Sequence, residues 1–252
     1  MTENKNFRTV ERRSNLRANI FLVESILVLA VYLYVLYNNI TPSPSSPMAR
    51  NKNSNFVSPP RAHHHILAVF GVIYMIRLNF MTRWLLNREL SIEELTIVIL
   101  VWIPGILASF SLLAQQSKED SAGVVSSSYS MMMQQHIVAI ILYSTGSFVN
   151  TYSELQRKKW KERHPENKKG RCYMEGLFSL SRNINYFGDT VLFAGWAVAT
   201  GSLWNIWVPI MMGLSFYFYH IPDKEKYLEK RYAKEWPIYK AKTPWSFVPF
   251  VC

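Results

Sequence analysis

The sequence predicts an all-α integral membrane protein of about six transmembrane helices with an amphipathic C-terminal tail. Three observations carry this. The chain's 252 residues are 49% hydrophobic, and its 14 Phe, 14 Tyr and 8 Trp gather in blocks. The blocks are continuous apolar runs near the roughly 20 helical residues that cross a hydrocarbon core about 30 Å thick, without the alternation of barrel strands. Finally, with the N-terminus in the cytoplasm, 23 of the 28 Lys and Arg residues fall on the cytoplasmic side, the asymmetry that orients membrane helices. A formal charge of +11 would suggest nucleic acid in a soluble protein; distributed this way it sets topology, and no nucleic-acid partner is expected.

Residues 1–17 form a basic cytosolic arm in which Arg12, Arg13 and Arg17 sit against anionic lipid. The membrane part, 18–152, holds four runs, Ala18–Tyr37, His65–Leu86, Leu95–Gln115 and Met131–Tyr152. The first is longer than a cleavable signal core and lacks a small-residue cleavage site, so it is a retained anchor. Glu24 and Arg77 lie at similar depth in the first two runs, where a lone charge is costly, and are expected to pair. Thr41–Pro60, rich in Pro, Ser and Asn, is a lumenal loop. The consecutive His63, His64 and His65 point in three directions on a helix and close no coordination shell, so no metal is expected. Pro104–Gly105 kinks the third run. Cys172 and Cys252 both fall on the cytoplasmic side and are expected as free thiols.

The C-terminal part, 153–252, comprises a basic connector, two shorter runs and the tail. The runs, Tyr186–Thr200 and Leu203–Tyr219, form a hairpin across the tight Gly201–Ser202 link. On the connector Gln156, Arg157, Trp160 and Lys161 are spaced to share one helical face. That face suits a diphosphate or a 2′-phosphate held by charge-assisted hydrogen bonds, with Trp160 against a ring. The stretch Gly176–Asp189 then concentrates Arg182, Asn183, Asn185, Tyr186 and Asp189 at the entrance of an apolar run. In the tail, Tyr227, Arg231 and Glu235 share one flank of a helix, while Leu228, Tyr232 and Trp236 form a stripe. The glycine fingerprint of soluble dinucleotide-binding folds is absent.

Three stretches, QRKKWK at Gln156–Lys161, GLFSLSRNINYFGD at Gly176–Asp189 and the tail KRYAKEWPIYKAKTPWSFVPF, resemble the C-terminal half of the sterol reductases and steroid 5-alpha-reductase-like membrane enzymes. The resemblance covers roughly residues 150–252. It implies an NADPH site open to the cytosol. Arg157, Lys161 and Arg182 would take phosphates, Asn185 and Tyr186 would hold the nicotinamide or ribose, and Asp189, Glu225, Tyr232 and Tyr239 would complete the polar shell. Where the family has His-Pro after the arginine, this chain has Asn183-Ile184.

The expected function is therefore a reductase of the endoplasmic-reticulum membrane, multi-pass with both termini cytosolic. It would deliver hydride from NADPH to a carbon–carbon double bond of a sterol, steroid or other lipophilic substrate. Membrane lipids are its other partners. A tyrosine hydroxyl suits the proton-donor step: Tyr186 on the cofactor side, with Tyr143 and Tyr217 toward the substrate. Two other functions share the scaffold. Isoprenylcysteine carboxyl methyltransferases resemble this architecture and use S-adenosylmethionine, and a non-catalytic lipid or sterol binder accommodates the missing His-Pro.

Overall fold

The computed structural model describes residues 19–34, 36, 61–85, 128–164, 171–201 and 203–251. The N-terminal arm, the Thr41–Pro60 loop, the Leu95–Gln115 run with its Pro104–Gly105 kink, and Cys252 lie outside the described residues. The described residues are helical and turn segments with no strand. Seven α-helices follow in order: α1 Asn19–Tyr34, α2 Arg61–Phe80, α3 Ser128–Arg163, α4 Ile184–Ala199, α5 Trp207–Ser215, α6 Ile221–Arg231 and α7 Trp236–Lys242. Both α2 and α5 wind into a π-helical turn at their ends, Met81–Leu85 and Phe216–His220.

The chain divides into two compact units. The first contains α1, α2 and residues 199–205. In it Tyr32 donates its hydroxyl to the Leu67 carbonyl at 3.0 Å, and Arg83 donates to Asn19 Oδ1 at 3.1 Å. The Arg77 guanidinium lies 5.4 Å from the centre of the Tyr74 ring, one turn earlier, a contact that eases a cation within an apolar helix. Among the described residues one helix, His65–Leu85, is long and apolar enough to cross a membrane, and Asn19–Tyr34 is a shorter apolar helix.

The second unit, 134–198 and 206–252, contains every candidate site residue named from the sequence. Its beam is α3, a 36-residue helix that belongs to this unit from Gln134 on and runs without interruption into the basic connector. At 1.5 Å per residue it is about 54 Å long, so its last turns carry Gln156, Arg157, Trp160 and Lys161 beyond the apolar stretch on one rigid rod. Helix α4 packs antiparallel to α3 along a glycine seam. A Cβ on Gly188 would sit 2.6 Å from the Asn150 amide nitrogen, and one on Gly195 would sit 2.8 Å from the Ala139 carbonyl. The backbones approach this closely because no side chain intervenes. Asn150 Nδ2 then donates to the Asn185 carbonyl at 2.9 Å, fixing the register of the two helices where the polar site begins.

The tail departs from the single helix that its stripe suggests. Helix α6 stops at Arg231 because Tyr232 adopts φ −121°, ψ 44°, and α7 starts afresh with Pro237 in its first turn, a position where proline's missing N–H costs nothing. The stripe still does what its spacing implies. Tyr232 and Trp236 join Phe178, Ile184 and Tyr239 in one buried cluster, with Leu228 packed at its edge. Glu235 falls in the break between the helices, off the flank shared by Tyr227 and Arg231, and is released to bond elsewhere.

Candidate functional site

The site is assembled around a strap, residues 171–183, that passes between the end of α3 and the start of α4. Gly176 allows the strap to turn. Its φ is +58°, and a Cβ there would lie 2.6 Å from Gln156 Oε1, so the position demands glycine on both counts. Gln156 fills the space by accepting the Leu177 N–H at 3.0 Å. At the strap's start, the Cys172 N–H donates to Glu235 Oε2 at 2.6 Å and Arg171 Nε donates to Glu235 Oε1 at 3.2 Å. Burial, then the nearby Glu235, push the Cys172 thiol up to about 11, so it stays protonated and unreactive.

The polar stretch 179–183 is zipped to the end of the tail. Arg182 is 8% exposed: its Nε donates to Glu225 Oε1 at 2.8 Å, and its Nη1 donates to the Thr243 and Pro244 carbonyls at 2.7 and 2.8 Å. The Arg182 N–H donates to the Trp245 carbonyl at 3.0 Å. Ser181 Oγ donates to the Phe247 carbonyl at 2.8 Å, and Asn183 Nδ2 to the Ser246 carbonyl at 2.8 Å. Arg182 and Asn183 therefore hold the tail closed, with Glu225 as the carboxylate that balances the arginine. Ile184, the other residue of the Asn183-Ile184 pair, is 2% exposed in the core cluster. Tyr239 completes the clasp by donating to the Phe178 carbonyl at 2.8 Å; burial raises its phenol, which stays neutral.

Beside this clasp lies a group of cations. Arg157 pairs with Glu154 one turn back on α3 and lies 5.4 Å from the centre of the Phe178 ring. Lys161, one turn on, is half-buried, and its ammonium is pushed down by burial, then by Arg157 and Arg231. Lys224 on α6 sits 4.5 Å from the centre of the Tyr186 ring. Burial, followed by Arg157, pushes its ammonium down to about 7, against the opposing pull of Glu154, Glu225 and Cys172. Arg231 pairs with the Tyr227 hydroxyl and lies 5.7 Å from the centre of the Tyr232 ring. The two nearest carboxylates are already engaged, Glu154 by Arg157 and Glu225 by Arg182. Among the described residues no carboxylate forms an ion pair with Lys161 or Lys224.

Aromatic rings floor the same region. Tyr186 stacks on Phe216 with ring centres 4.5 Å apart and planes 12° off parallel. Trp160 lies 5.6 Å from Tyr173 and remains half-exposed at the end of α3. Asn185 is buried, and its Oδ1 has no hydrogen-bond partner, an acceptor that a ligand N–H would satisfy.

An apolar groove of about 570 Å³ opens one helical turn further along α4, lined by Thr190, Ala194, Pro209, Gly213, Tyr217 and Phe247 among others. Thr190 turns its hydroxyl back to the Tyr186 carbonyl at 3.0 Å, which leaves its methyl toward the apolar side. That bond ties the edge of the groove to the first turn of α4.

Residues 95–243 match the model of a protein family of unknown function, DUF1295. The chain belongs to this family. No curated protein matches the chain. In this DUF1295 protein the match spans more than half of the chain and takes in α3, the strap, α4, α5 and both tail helices.

In the DUF1295 protein most of the candidate residues named from the sequence lie on the elements around the strap. Gln156, Arg157, Trp160 and Lys161 come from α3, Arg182, Asn185 and Tyr186 from the entry to α4, and Glu225, Tyr232 and Tyr239 from the tail. Asp189 lies half-buried on α4, one turn beyond Asn185. Tyr217 lies in the groove. Tyr143 is elsewhere, 2% exposed in the α3–α4 seam and edge-on to Trp196 at 5.8 Å. The residue that sequence reasoning missed is Lys224. It stands between Asp223 and Glu225 on a highly charged helix, and only the fold distinguishes it from its neighbour Lys226, which bridges to Asp223 at 3.6 Å with both side chains mostly exposed.

Proposed function

We propose that this protein is a membrane-embedded reductase that binds NADPH at the basic site beside the strap and reduces a carbon–carbon double bond of a lipophilic substrate. The observation that carries the reading is the adjacency of two unlike sites on one helix. A cation cluster with engaged carboxylates lies at the start of α4, and an apolar groove begins a turn later.

The residues fit such a cofactor. Phosphates complement Lys161 and Lys224, each disfavoured as a cation by Arg157. The half-exposed Trp160 offers a face for adenine, and the unpartnered Asn185 Oδ1 suits a carboxamide N–H. S-adenosylmethionine brings a sulfonium cation and no phosphate, which opposes the same cluster. When bound, NADPH supplies hydride to one carbon of a polarised double bond, and a proton must reach the other. Tyr186, one turn before the groove residue Thr190 and with Lys224 over its ring, would give up that proton, and Tyr217 would face the acceptor from the groove. The tail clasp through Arg182 excludes water from the cofactor side.

The membrane setting belongs to the same proposal. Six spans with both termini cytosolic place the basic end of α3, the strap and the tail at the cytosolic surface of the endoplasmic-reticulum membrane. The side chains left exposed on α3, on α5 and on the π-helical turn after it, among them Ile137, Ile141, Phe148, Ile210, Met211 and Phe218, would face lipid, where apolar exposure carries no cost. The test is titration of the purified full chain in detergent with NADPH and with S-adenosylmethionine, followed by NADPH oxidation in the presence of unsaturated sterols and steroids. Saturable NADPH binding with substrate-dependent oxidation is expected. Binding of the methyl donor alone would replace the reductase with a methyltransferase, and binding of neither would favour a non-catalytic lipid binder.

A further inference from the structure

We propose that Gly213 sets the depth of the apolar groove between α4 and α5, so that this one residue limits the bulk of the hydrocarbon body a substrate can lay there. The inference rests on the reductase reading and adds to it a specificity-determining residue on the substrate side.

The helical glycines of this unit fall into two kinds. A Cβ at Gly146, Gly188 or Gly195 would collide with the backbone of the facing helix, at Leu192, Asn150 and Tyr143 respectively. Those three are glycine because α3 and α4 touch there. Gly213 has no such reason. Among the described residues a Cβ there would meet nothing nearer than Thr190 Cγ2 at 3.4 Å and the Phe247 ring at 3.8 Å, which are ordinary contact distances. The position lies within α5, where glycine is a poorer helix former than alanine. Local structure would accept a methyl, and what its absence leaves is room in the groove that Gly213 lines.

The walls are held, so they would not retreat from a side chain at 213. Phe247 is buried; its carbonyl accepts the Ser181 hydroxyl at 2.8 Å, and its ring lies edge-on to Phe187 at 6.4 Å. Thr190 is tied to the Tyr186 carbonyl. A larger residue at 213 would therefore fill the groove rather than widen it. Of the lining side chains, those with polar atoms are Thr190, whose hydroxyl is already bonded, and Tyr217. What lies along Gly213 is thus bare hydrocarbon, and Tyr217 is left for the reacting end. The Thr190 bond also makes the groove continuous with the turn that carries Tyr186, which assigns the groove to substrate rather than to bulk lipid.

The experiment places the full chain in lipid nanodiscs, photolabels it with a cholesterol analogue carrying a diazirine, and competes the label with unlabelled cholesterol. In wild type, peptides covering 187–195 and 206–218 are expected to label saturably, while those around the exposed Ile137, Ile141 and Phe148 of α3 label without competition. Gly213→Ala is expected to melt like wild type or about 2 °C higher. It nevertheless raises the cholesterol needed for half competition by about tenfold, the scale of one methyl in an apolar pocket. Gly213→Leu removes the competable label and leaves that on α3; the alanine variant carries the test alone if leucine prevents folding. Competition unchanged in Gly213→Ala, or a groove label in wild type that cholesterol does not compete, overturns the assignment. So does a Gly213→Ala protein that melts well below wild type, because glycine would then serve packing. NADPH titration of the wild type is read separately. Competable label without NADPH binding overturns the reductase reading and leaves Gly213 as the gauge of a hydrocarbon site.

Discussion

Replacing Arg182 by alanine removes the centre of the tail clasp, and the structure fixes the size of the effect. Three hydrogen bonds disappear, to Glu225, Thr243 and Pro244, and Glu225 is left without its cation. Bonds to charged groups contribute about 1.5–3 kcal/mol each, and breaking a buried pair costs about 3–5 kcal/mol. Glu225 retains 21% side-chain exposure, so water recovers part of that loss, and about 3 kcal/mol is the working figure. At about 1.4 kcal/mol per factor of ten, the population with the tail released rises about 100-fold. Amide hydrogen exchange in the full chain reads this directly, since local opening sets the protection. Peptides covering 179–185 and 243–250 are expected to lose about two orders of magnitude of protection, while those from the α3–α4 seam near 139–150 keep theirs. Arg182→Lys, which keeps the charge but not the fork, falls between. Protection unchanged within threefold in Arg182→Ala would refute the clasp.

Other positions give independent checks. Gly176→Ala forces a side chain into positive φ and against Gln156, and is expected to lower thermal stability by about 1–3 kcal/mol, with Gln156→Ala relieving only the steric part. Tyr239→Phe leaves the Phe178 carbonyl without its donor and should cost about 1–3 kcal/mol in the same melt. Lys224 makes stability depend on pH. Its folded value of about 7 lies below its ordinary 10.5, so between those limits the unfolded chain binds a proton that the native state lacks, and stability rises with pH across that window. Melting measured from pH 7 to 10 should show this rise in wild type and its loss in Lys224→Met; identical slopes would remove Lys224 from the buried cluster.

The helical character of the chain and the burial of the tail stripe were legible in the sequence because each rests on spacing. Gln156, Arg157, Trp160 and Lys161 share a face on any helix, and the Leu228, Tyr232 and Trp236 stripe buries whether or not the helix is continuous. The break at Tyr232 was not legible, since nothing before Pro237 forbids helix and the cost is met by tertiary bonds, with Glu235 recruited to Cys172 and Arg171. The division of labour among the cations was equally hidden. Arg182 resembles a phosphate ligand in sequence, yet carbonyls 61 and 62 residues away satisfy it. Lys224, unmarked by any motif, forms no ion pair among the described residues and lies over the Tyr186 ring. Pairing of this kind is decided by contacts between distant segments, which local pattern does not encode.

The central claim is that a phosphate-bearing dinucleotide occupies the basic site beside the strap, and a salt-dependent titration of the purified full chain with NADPH tests it most directly. Saturable binding is expected, weakening as ionic strength rises and not displaced by S-adenosylmethionine. Displacement by S-adenosylmethionine, or absence of NADPH binding at low salt, would contradict it.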